Sequence, residues 1–226
     1  MSITTTVTPA TTGRPTAARL PGEVDNRATY ISFGLAYVLG HGSAALSKGD
    51  TPLLDLPGWL PMALLGAGLA AGTILATVAA LRAQRTAVHP DDVLSGKLLG
   101  AAWVTAFAAL FLAITGLAST LDMPDVQSLL WPTGSGFVVG LLYVAEGAHR
   151  RNLLHYSLGT WLALTSTAAL LLGSPGLYWV LTLAGGSAYA IAAILENRRL
   201  ASLSGLLRID KGVRVGTEET WTGAQV

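Results

Sequence analysis

LLHYSLGTWLALTSTAALLLGSPGLYWVLTLAGGSAYAIAAIL, residues 153–195, is the stretch that decides the fold, because none of its residues carries a formal charge. As a single helix these 43 residues would extend for about 64 Å, roughly twice the hydrocarbon thickness of a bilayer. Within it, Gly173-Ser174-Pro175-Gly176 favours a turn, since proline lacks a backbone donor and glycine tolerates left-handed dihedrals. The stretch therefore predicts two membrane-spanning helices joined by a tight hairpin.

Four more uncharged stretches of sufficient length precede this one along the chain. They cover residues 28–47, 58–81, 98–121 and 126–145. Hydrophobic residues make up 51% of the 226 residues and charged residues only 12%, a balance that favours a membrane protein. In lipid, a helix satisfies every backbone polar group without water. The sequence therefore predicts an all-α polytopic bundle of six transmembrane helices over residues 28–199.

The distribution of positive charge predicts how this bundle is oriented. If the N-terminus is cytoplasmic, all but one of the 14 lysines and arginines fall on the cytoplasmic side, and the exception is Lys48. The loops on the opposite side carry aspartates instead. We therefore expect both termini in the cytoplasm and the protein in the plasma membrane.

The two ends of the chain differ in composition from the apolar region between them. Residues 1–27 are rich in threonine, proline and alanine and lack the apolar core of a signal peptide, which predicts a disordered cytoplasmic tail. Residues 200–226 are predicted to form a second cytoplasmic tail. It begins with Leu200, Leu203, Leu206 and Leu207, whose helical spacing indicates a short helix lying on the inner leaflet.

Several classes of function lack the residues they need. The chain has no cysteine for a thiolate metal centre or nucleophile, and a net charge of +1 gives no basic face for nucleic acid. A haem pair is disfavoured because His41 and His155 fall at different depths. Ser135 resembles a rhomboid nucleophile, but the last span has no histidine to activate it. We therefore expect no metal, no cofactor, no nucleic-acid partner and no enzymatic activity.

Two ionisable residues within the spans are candidates for binding a substrate or a proton, because burying such groups in lipid is costly. His41 lies in Gly40-His41-Gly42 without a charged neighbour, so we expect it to face the bundle interior, as a protonation site or in a structural hydrogen bond. Glu146 is the second candidate. Its alternative is an ion pair with Arg150, four residues away on the same helix face. Glu196 is expected to pair with Arg198 or Arg199.

Three Gly-x-x-x-Gly pairs predict close helix packing. They are Gly68 with Gly72, Gly96 with Gly100, and Gly136 with Gly140. Packing within one chain is the favoured interpretation, and a dimerisation face is the alternative.

Three segments carry a resemblance to a known group of proteins. They are YISFGLAYVLGHGSAAL (30–46), GKLLGAAWV (96–104) and GLLYVAEGAHRRNLLHYSLGTWLAL (140–164). They resemble small six-helix membrane proteins of high-GC Gram-positive bacteria, many of which are labelled ABC transporter permeases. The resemblance implies a permease subunit that works with a separate ATPase. The chain has no P-loop of its own. The longest cytoplasmic connection, residues 82–97, is the candidate docking surface for an ATPase, and a solvated, charged loop is the favoured interpretation of it.

The sequence thus leaves several functions open. The leading hypothesis is a membrane transport protein, either an ATPase-dependent permease subunit that forms a homo-oligomer or a small secondary carrier, which His41 and Glu146 motivate. The alternative is a non-catalytic scaffold or assembly subunit of a larger membrane complex.

Overall fold

Every regular element is helical in the part of the chain that the computed structural model describes, residues 23–86 and 90–203. The all-α prediction is confirmed for these residues. The predicted N-terminal tail up to residue 22 and the predicted tail beyond residue 203, with most of its interfacial helix, lie outside them. The contacts below all lie within residues 23–200.

Helix α1 has three parts that continue one another. An α-helical segment, Arg27–Ala36, is followed by a π-helical segment, Tyr37–His41, and by a second α-helical segment, Gly42–Ser47. A non-helical connection then leads to α2. It includes Gly49, whose φ of 103° suits glycine because the residue has no Cβ.

Three uninterrupted helices form the middle of the chain. They are α2 (Leu60–Arg85), α3 (Pro90–Thr120) and α4 (Val126–His149). Proline near the start of α2 and at the start of α3 fits the first helical turn, where a backbone donor has no intrahelical partner. Asp91 and Asp92 add favourable negative charge to the first turn of α3.

The last 51 residues of helix, Leu153–Leu203, are folded into a hairpin. Helix α5 (Leu153–Ala169) runs into a 3₁₀ turn, Leu170–Leu172, and α6 follows as Gly173–Val180, a π-helical segment Leu181–Gly185, and residues 186–203. The helical path breaks at Gly173, with φ 59°, and at the extended Ser174. The predicted turn is therefore confirmed.

A contact across the hairpin shows that the chain reverses. The indole Nε1 of Trp161 donates to the carbonyl of Ala184 at 3.0 Å, although the two residues are 23 positions apart. In a straight helix that separation would be about 35 Å.

Helices that follow one another in the chain pack antiparallel, and so do α1 and α6. Ser32 of α1 contacts Gly68 of α2, and Trp103 of α3 contacts Glu146 of α4. Helices α1 and α6 meet at both ends, through Asn26 with Glu196 and through Lys48 with Tyr178. We call the end with Arg27, Arg150 and Arg199 the basic end, and the end with Lys48 the far end.

Four helices are long and apolar enough to cross a membrane. They are α2, α3, α4 and the combined stretch Leu153–Leu203. Helix α1 is divided by its π-helical segment, so neither of its α-helical parts reaches that length alone. The chain is therefore a membrane protein by the length and composition of its helices.

Most of the predicted glycine contacts occur within the chain. A side chain at Gly68 would collide with Ala36, at Gly72 with Phe33, at Gly96 with Gln84, at Gly136 with Ser166, and at Gly140 with the backbone of Ala163 and Gly159. Gly100 is the exception. A side chain there would meet no other atom of the chain among the described residues, so the role of Gly100 in helix packing stays a prediction.

Candidate functional site

Glu146 lies near the basic end of α4 and points into the bundle. Its Oε1 accepts a hydrogen bond from the indole Nε1 of Trp103 at 2.8 Å, and its Oε2 lies 3.3 Å from Nε2 of His155. Among the described residues its ion-pair partner is His155, so the alternative pairing with Arg150 is not adopted. Three helices, α3, α4 and α5, thus converge on this one carboxylate.

His155 is held in place by groups on every side. Asn152 caps the start of α5 by accepting the backbone N–H of His155 at 3.1 Å. The ring Nδ1 lies 2.6 Å from the hydroxyl of Tyr30, and the ring packs on Tyr143 with centroids 4.1 Å apart. His155 is 4% exposed. Its position is therefore fixed by α1 and α4 as well as by its own helix.

The contact between His155 and Glu146 is close but not aligned as a hydrogen bond. The Nε2 atom is buried and has no hydrogen-bond partner among the described residues, although Oε2 is near enough for an ion pair. A hydroxyl on one ring nitrogen and a carboxylate beside the other allow the imidazole to bind a proton on one side and release it on the other. The arrangement can therefore store and pass on a proton.

A continuous series of rings leads from His155 toward the far end. Tyr30 stacks on His155 at 5.9 Å and contacts Tyr189 at 6.4 Å, both measured between ring centroids. Tyr189 contacts Tyr37 at 5.2 Å, and Tyr37 contacts His41 edge-on at 4.9 Å. These residues come from α1 and from the α5–α6 hairpin.

The series continues from His41 to the far end. The rings of His41 and Tyr178 are 6.2 Å apart, and the ammonium of Lys48 lies 5.1 Å from the centre of the Tyr178 ring. The Tyr178 hydroxyl donates to the carbonyl of Ser128 at 2.9 Å and lies 3.3 Å from Nζ of Lys48. We call the whole series, from Glu146 to Lys48, the aromatic column.

The prediction that His41 faces the interior is confirmed, since its side chain is buried. Its neighbour Gly40 lies directly against Leu65 of α2, and Gly42 lies against Thr182 of α6. Among the described residues the imidazole makes ring contacts and no hydrogen bond to a neighbouring helix. The glycines thus allow two helices to enclose the histidine, as the sequence indicated.

The two π-helical segments face each other beside His41. Tyr37–His41 belongs to α1, Leu181–Gly185 belongs to α6, and the ring of Tyr37 lies against the backbone of Gly185. Each π-helical turn holds one residue more than an α-helical turn, and such segments are frequent at functional sites. Both segments contribute buried polar groups, His41 from one and Thr182 from the other.

Three buried hydroxyls lie beside the aromatic column, and none of the three has a hydrogen-bond partner among the described residues. They are Oγ1 of Thr29, Oγ of Ser166 and Oγ1 of Thr182. Thr29 precedes Tyr30, Thr182 borders Gly42, and Ser166 and the Tyr37 hydroxyl both border Gly136. Buried polar groups are normally paired, so unpaired ones indicate places where a proton, water or ligand group is accommodated.

A separate cluster of charges closes the basic end. Glu196 is completely buried and accepts Nε of Arg199 at 2.7 Å and the backbone N–H of Asn26 at 3.1 Å. Arg199 also pairs with Glu23. The predicted pairing of Glu196 with Arg199 is confirmed. Its complete burial was not expected from the sequence, which indicated an interfacial position.

The described residues contain no group of three or more histidines, cysteines, aspartates or glutamates that could hold a metal ion. The site therefore consists of the carboxylate of Glu146, the two imidazoles and the tyrosine hydroxyls.

Comparison with known proteins finds no match to a family model, a curated protein or a solved structure.

Proposed function

We propose that the chain is a six-span transport protein of the plasma membrane, a small secondary carrier that moves protons across the bilayer. Glu146 and His155 form its proton-binding site. The observation that carries the proposal is the contact of 3.3 Å between these two groups inside the bundle.

The six-span count is supported by helix length and by the hairpin. Residues 27–47 extend for about 31 Å and residues 153–172 for about 30 Å, each close to the hydrocarbon thickness. The break at Gly173 and Ser174 divides Leu153–Leu203 into stretches of 20 and 31 residues, about 30 and 46 Å long, each enough to cross the hydrocarbon. With six spans, both ends of the chain lie on one side.

The cytoplasmic location of the termini is supported by charge. Arg27, Arg150 and Arg199 lie at the basic end and Lys48 at the far end, and lysines and arginines prefer the cytoplasmic side of a membrane. This assignment also puts Glu146 and His155 on the cytoplasmic half of the bundle.

The chemistry of the Glu146–His155 pair suits the binding and release of a proton. Ionisable side chains inside a membrane bundle are costly and are retained at ion and proton pathways. With one proton more, the pair is neutral overall, and without that proton it carries one negative charge. In surroundings of low dielectric constant this single charge strongly biases the packing of neighbouring helices.

Polar contacts at both ends of the bundle support a carrier rather than an open pore. Glu23 and Arg199 close the basic end, and the hydrogen bond from Tyr178 to Ser128 closes the far end. Contacts of this kind are separable by small helix movements, which is what alternating access requires.

The test uses the full chain in sealed liposomes that contain a pH-sensitive dye, with potassium and valinomycin to balance charge. After an external acid step we expect the wild type to acidify the lumen faster than protein-free liposomes do. Glu146→Gln should reduce the initial rate by about tenfold or more, because the amide cannot take the proton but still accepts from Trp103.

The matched control is Asp122→Asn, which removes an exposed carboxylate in the turn between α3 and α4. It should leave the rate unchanged. Equal rates for wild-type and protein-free liposomes would contradict the proposal. Native co-purification with an ATPase would then favour the permease subunit, and co-purification with another membrane complex would favour the scaffold.

A further inference from the structure

One face of α1 carries polar groups along the whole thickness of the bundle. Tyr30, Tyr37, His41 and Lys48 are spaced by seven, four and seven residues, which returns each of them to the same side of a helix. The distance from the first to the last is about 27 Å along the axis, close to the hydrocarbon thickness. A transmembrane helix that faces only lipid and packed apolar groups needs no such stripe.

Helix α6 completes the stripe from the opposite side. It contributes Tyr189 between Tyr30 and Tyr37, and Tyr178 between His41 and Lys48. No step between consecutive ring centroids in the aromatic column exceeds 6.4 Å. The column is therefore continuous from the Glu146–His155 pair to the only lysine or arginine at the far end among the described residues.

The spacing of the rings limits what can move along the column. Centroids 4.9 Å apart at Tyr37 and His41, and 5.2 Å apart at Tyr37 and Tyr189, correspond to rings in direct contact. A solute or a hydrated ion needs an opening between such rings. A proton needs groups that accept it at one atom and release it from another, joined by hydrogen bonds directly or through one water.

We propose that the aromatic column is the path by which protons from the far side reach the Glu146–His155 pair, with His41 as the relay group of its outer half. The proposal rests on the proposed function, because that pair is its inner terminus. It assigns to the column a cargo, the proton, and to His41 a role that is distinct from substrate binding.

The chemistry at His41 needs one bridging water on each side, because the ring makes no hydrogen bond to Tyr37 or Tyr178 among the described residues. An N–H bond forms on one ring nitrogen as a water delivers the proton, and the N–H bond on the other nitrogen breaks as a second water carries a proton to the hydroxyl of Tyr37. Tyrosine hydroxyls accept and donate at the same oxygen, so each must rotate between the two events. The unpaired hydroxyls of Thr182 and Ser166 lie beside this part of the column and supply further donors and acceptors.

The groups around His41 are consistent with this direction. Tyr178 is the titratable residue that α6 brings to its ring, and Lys48 lies beyond Tyr178 rather than against the imidazole. From α2 it is the apolar Leu65 that packs against the adjacent Gly40. No carboxylate contacts His41 among the described residues, so an arriving proton is not trapped in an ion pair.

The test compares two column variants with a matched control in the liposome assay. His41→Phe keeps a ring against Tyr37 and Tyr178, and Tyr37→Phe removes only a hydroxyl. Each should lower the initial rate of proton uptake by about tenfold or more. Tyr156→Phe makes the same chemical change at a tyrosine that is 42% exposed and outside the column, and it should retain the wild-type rate.

A second measurement separates a relay from a structural role. Nitrogen-15 magnetic resonance of liposomes with labelled histidine should show the His41 signal, identified by its loss in His41→Phe, responding to the external pH. A structural histidine sealed in the bundle would not respond, and that result would overturn the relay.

The outcomes for the two proposals are distinct. If Glu146→Gln blocks uptake while His41→Phe and Tyr37→Phe match the wild type, the column is not the path, and the proposed function survives. If wild-type liposomes take up protons no faster than protein-free ones, the proposed function fails and the column fails with it. If both column variants are slow at an unchanged melting temperature while Tyr156→Phe is normal, the path is supported.

Discussion

Among single residues, Glu196 has the most demanding environment. Its side chain is completely buried at the basic end, and both carboxylate oxygens accept from the guanidinium of Arg199. Asn26 adds its backbone N–H to the same carboxylate. A buried carboxylate of this kind depends on its cationic partner, because removing the partner leaves a buried charge without compensation.

We therefore predict that Arg199→Ala lowers the free energy of unfolding by about 3–5 kcal/mol, because it leaves Glu196 buried without a counter-charge. Adding Glu196→Gln to that variant should restore part of the loss. The measurement is equilibrium unfolding by sodium dodecyl sulfate in mixed micelles, followed by circular dichroism.

The matched control is Arg198→Ala, since Arg198 is the neighbouring arginine and is exposed. We expect it to change the unfolding free energy by less than about 0.5 kcal/mol. Equal losses of unfolding free energy for Arg198→Ala and Arg199→Ala would contradict the prediction that the buried ion pair contributes more to stability than an exposed arginine does.

At this scale the sequence indicated some partners and missed others. Spacing along one helix suggested Arg199 for Glu196, and the lack of charged neighbours suggested an interior position for His41. His155 was not singled out, because its partners Tyr30 and Glu146 are distant in sequence and their convergence depends on the packing of α1, α4 and α5. The spacing of Tyr30, Tyr37 and His41 was a usable signal for the column.

At the scale of elements, the closest helix pair is α4 with α5. The backbone of Gly140 lies against Gly159 and Ala163, and Gly147 lies against Tyr156. In a membrane, helices associate by close packing rather than by the hydrophobic effect, so backbone approach of this kind stabilises the pair. The pairing of α4 with α5, which holds Glu146 beside His155, depends on this close backbone packing.

We predict opposite effects for the same substitution at two glycines. Gly140→Ala should lower the unfolding free energy by about 1–3 kcal/mol, because the new methyl group meets the backbone of α5. Gly100→Ala should raise it by about 0.5–1 kcal/mol, because Gly100 faces open space and alanine favours a helix. Thermal unfolding of the purified variants in one detergent measures both effects.

If Gly100→Ala instead destabilises the protein or breaks up an oligomer, Gly100 lies in an interface between copies of the chain. That outcome would restore the dimerisation alternative for the Gly96–Gly100 pair.

The sequence predicted the helices better than their local geometry. The predicted spans 58–81 and 126–145 became Leu60–Arg85 and Val126–His149, since the apolar runs and prolines mark helix ends well. The π-helical segments of α1 and α6 were not predicted. An extra residue in one turn leaves no mark in composition, and here it arises where two helices share the space around Tyr37 and Gly185.

At the scale of the whole molecule, the six-span topology can be mapped with single cysteines, since the chain has none of its own. In intact cells we predict that Thr51→Cys and Ser174→Cys react with a membrane-impermeant maleimide. Arg85→Cys should react only after the membrane is opened. All three positions are exposed outside or at the ends of the helices.

Protection of Ser174→Cys in intact cells, together with labelling of Thr51→Cys, would mean that the hairpin does not reach the far side. Helices α5 and α6 would then not both cross the bilayer. The cysteine-free wild type is the control for background labelling.

The order in which helices pack was beyond what spans and charges could predict. Charge bias assigns sides to loops but not neighbours to helices. The pairing of α1 with both α2 and α6 depends on small residues such as Gly40, Gly42 and Gly68, and each of these could have served other partners.

The hydrogen bond from Asn26 to Glu196 also means that the start of α1 adjoins the last part of α6, which continues to Leu203. A short bridge between these points would close the chain into a ring, and the ring could be reopened in the exposed connection near Thr51. The bundle therefore has the geometry of a circularly permutable module. Gene fusion or rearrangement could accordingly attach new segments on either side of the membrane while leaving the aromatic column intact.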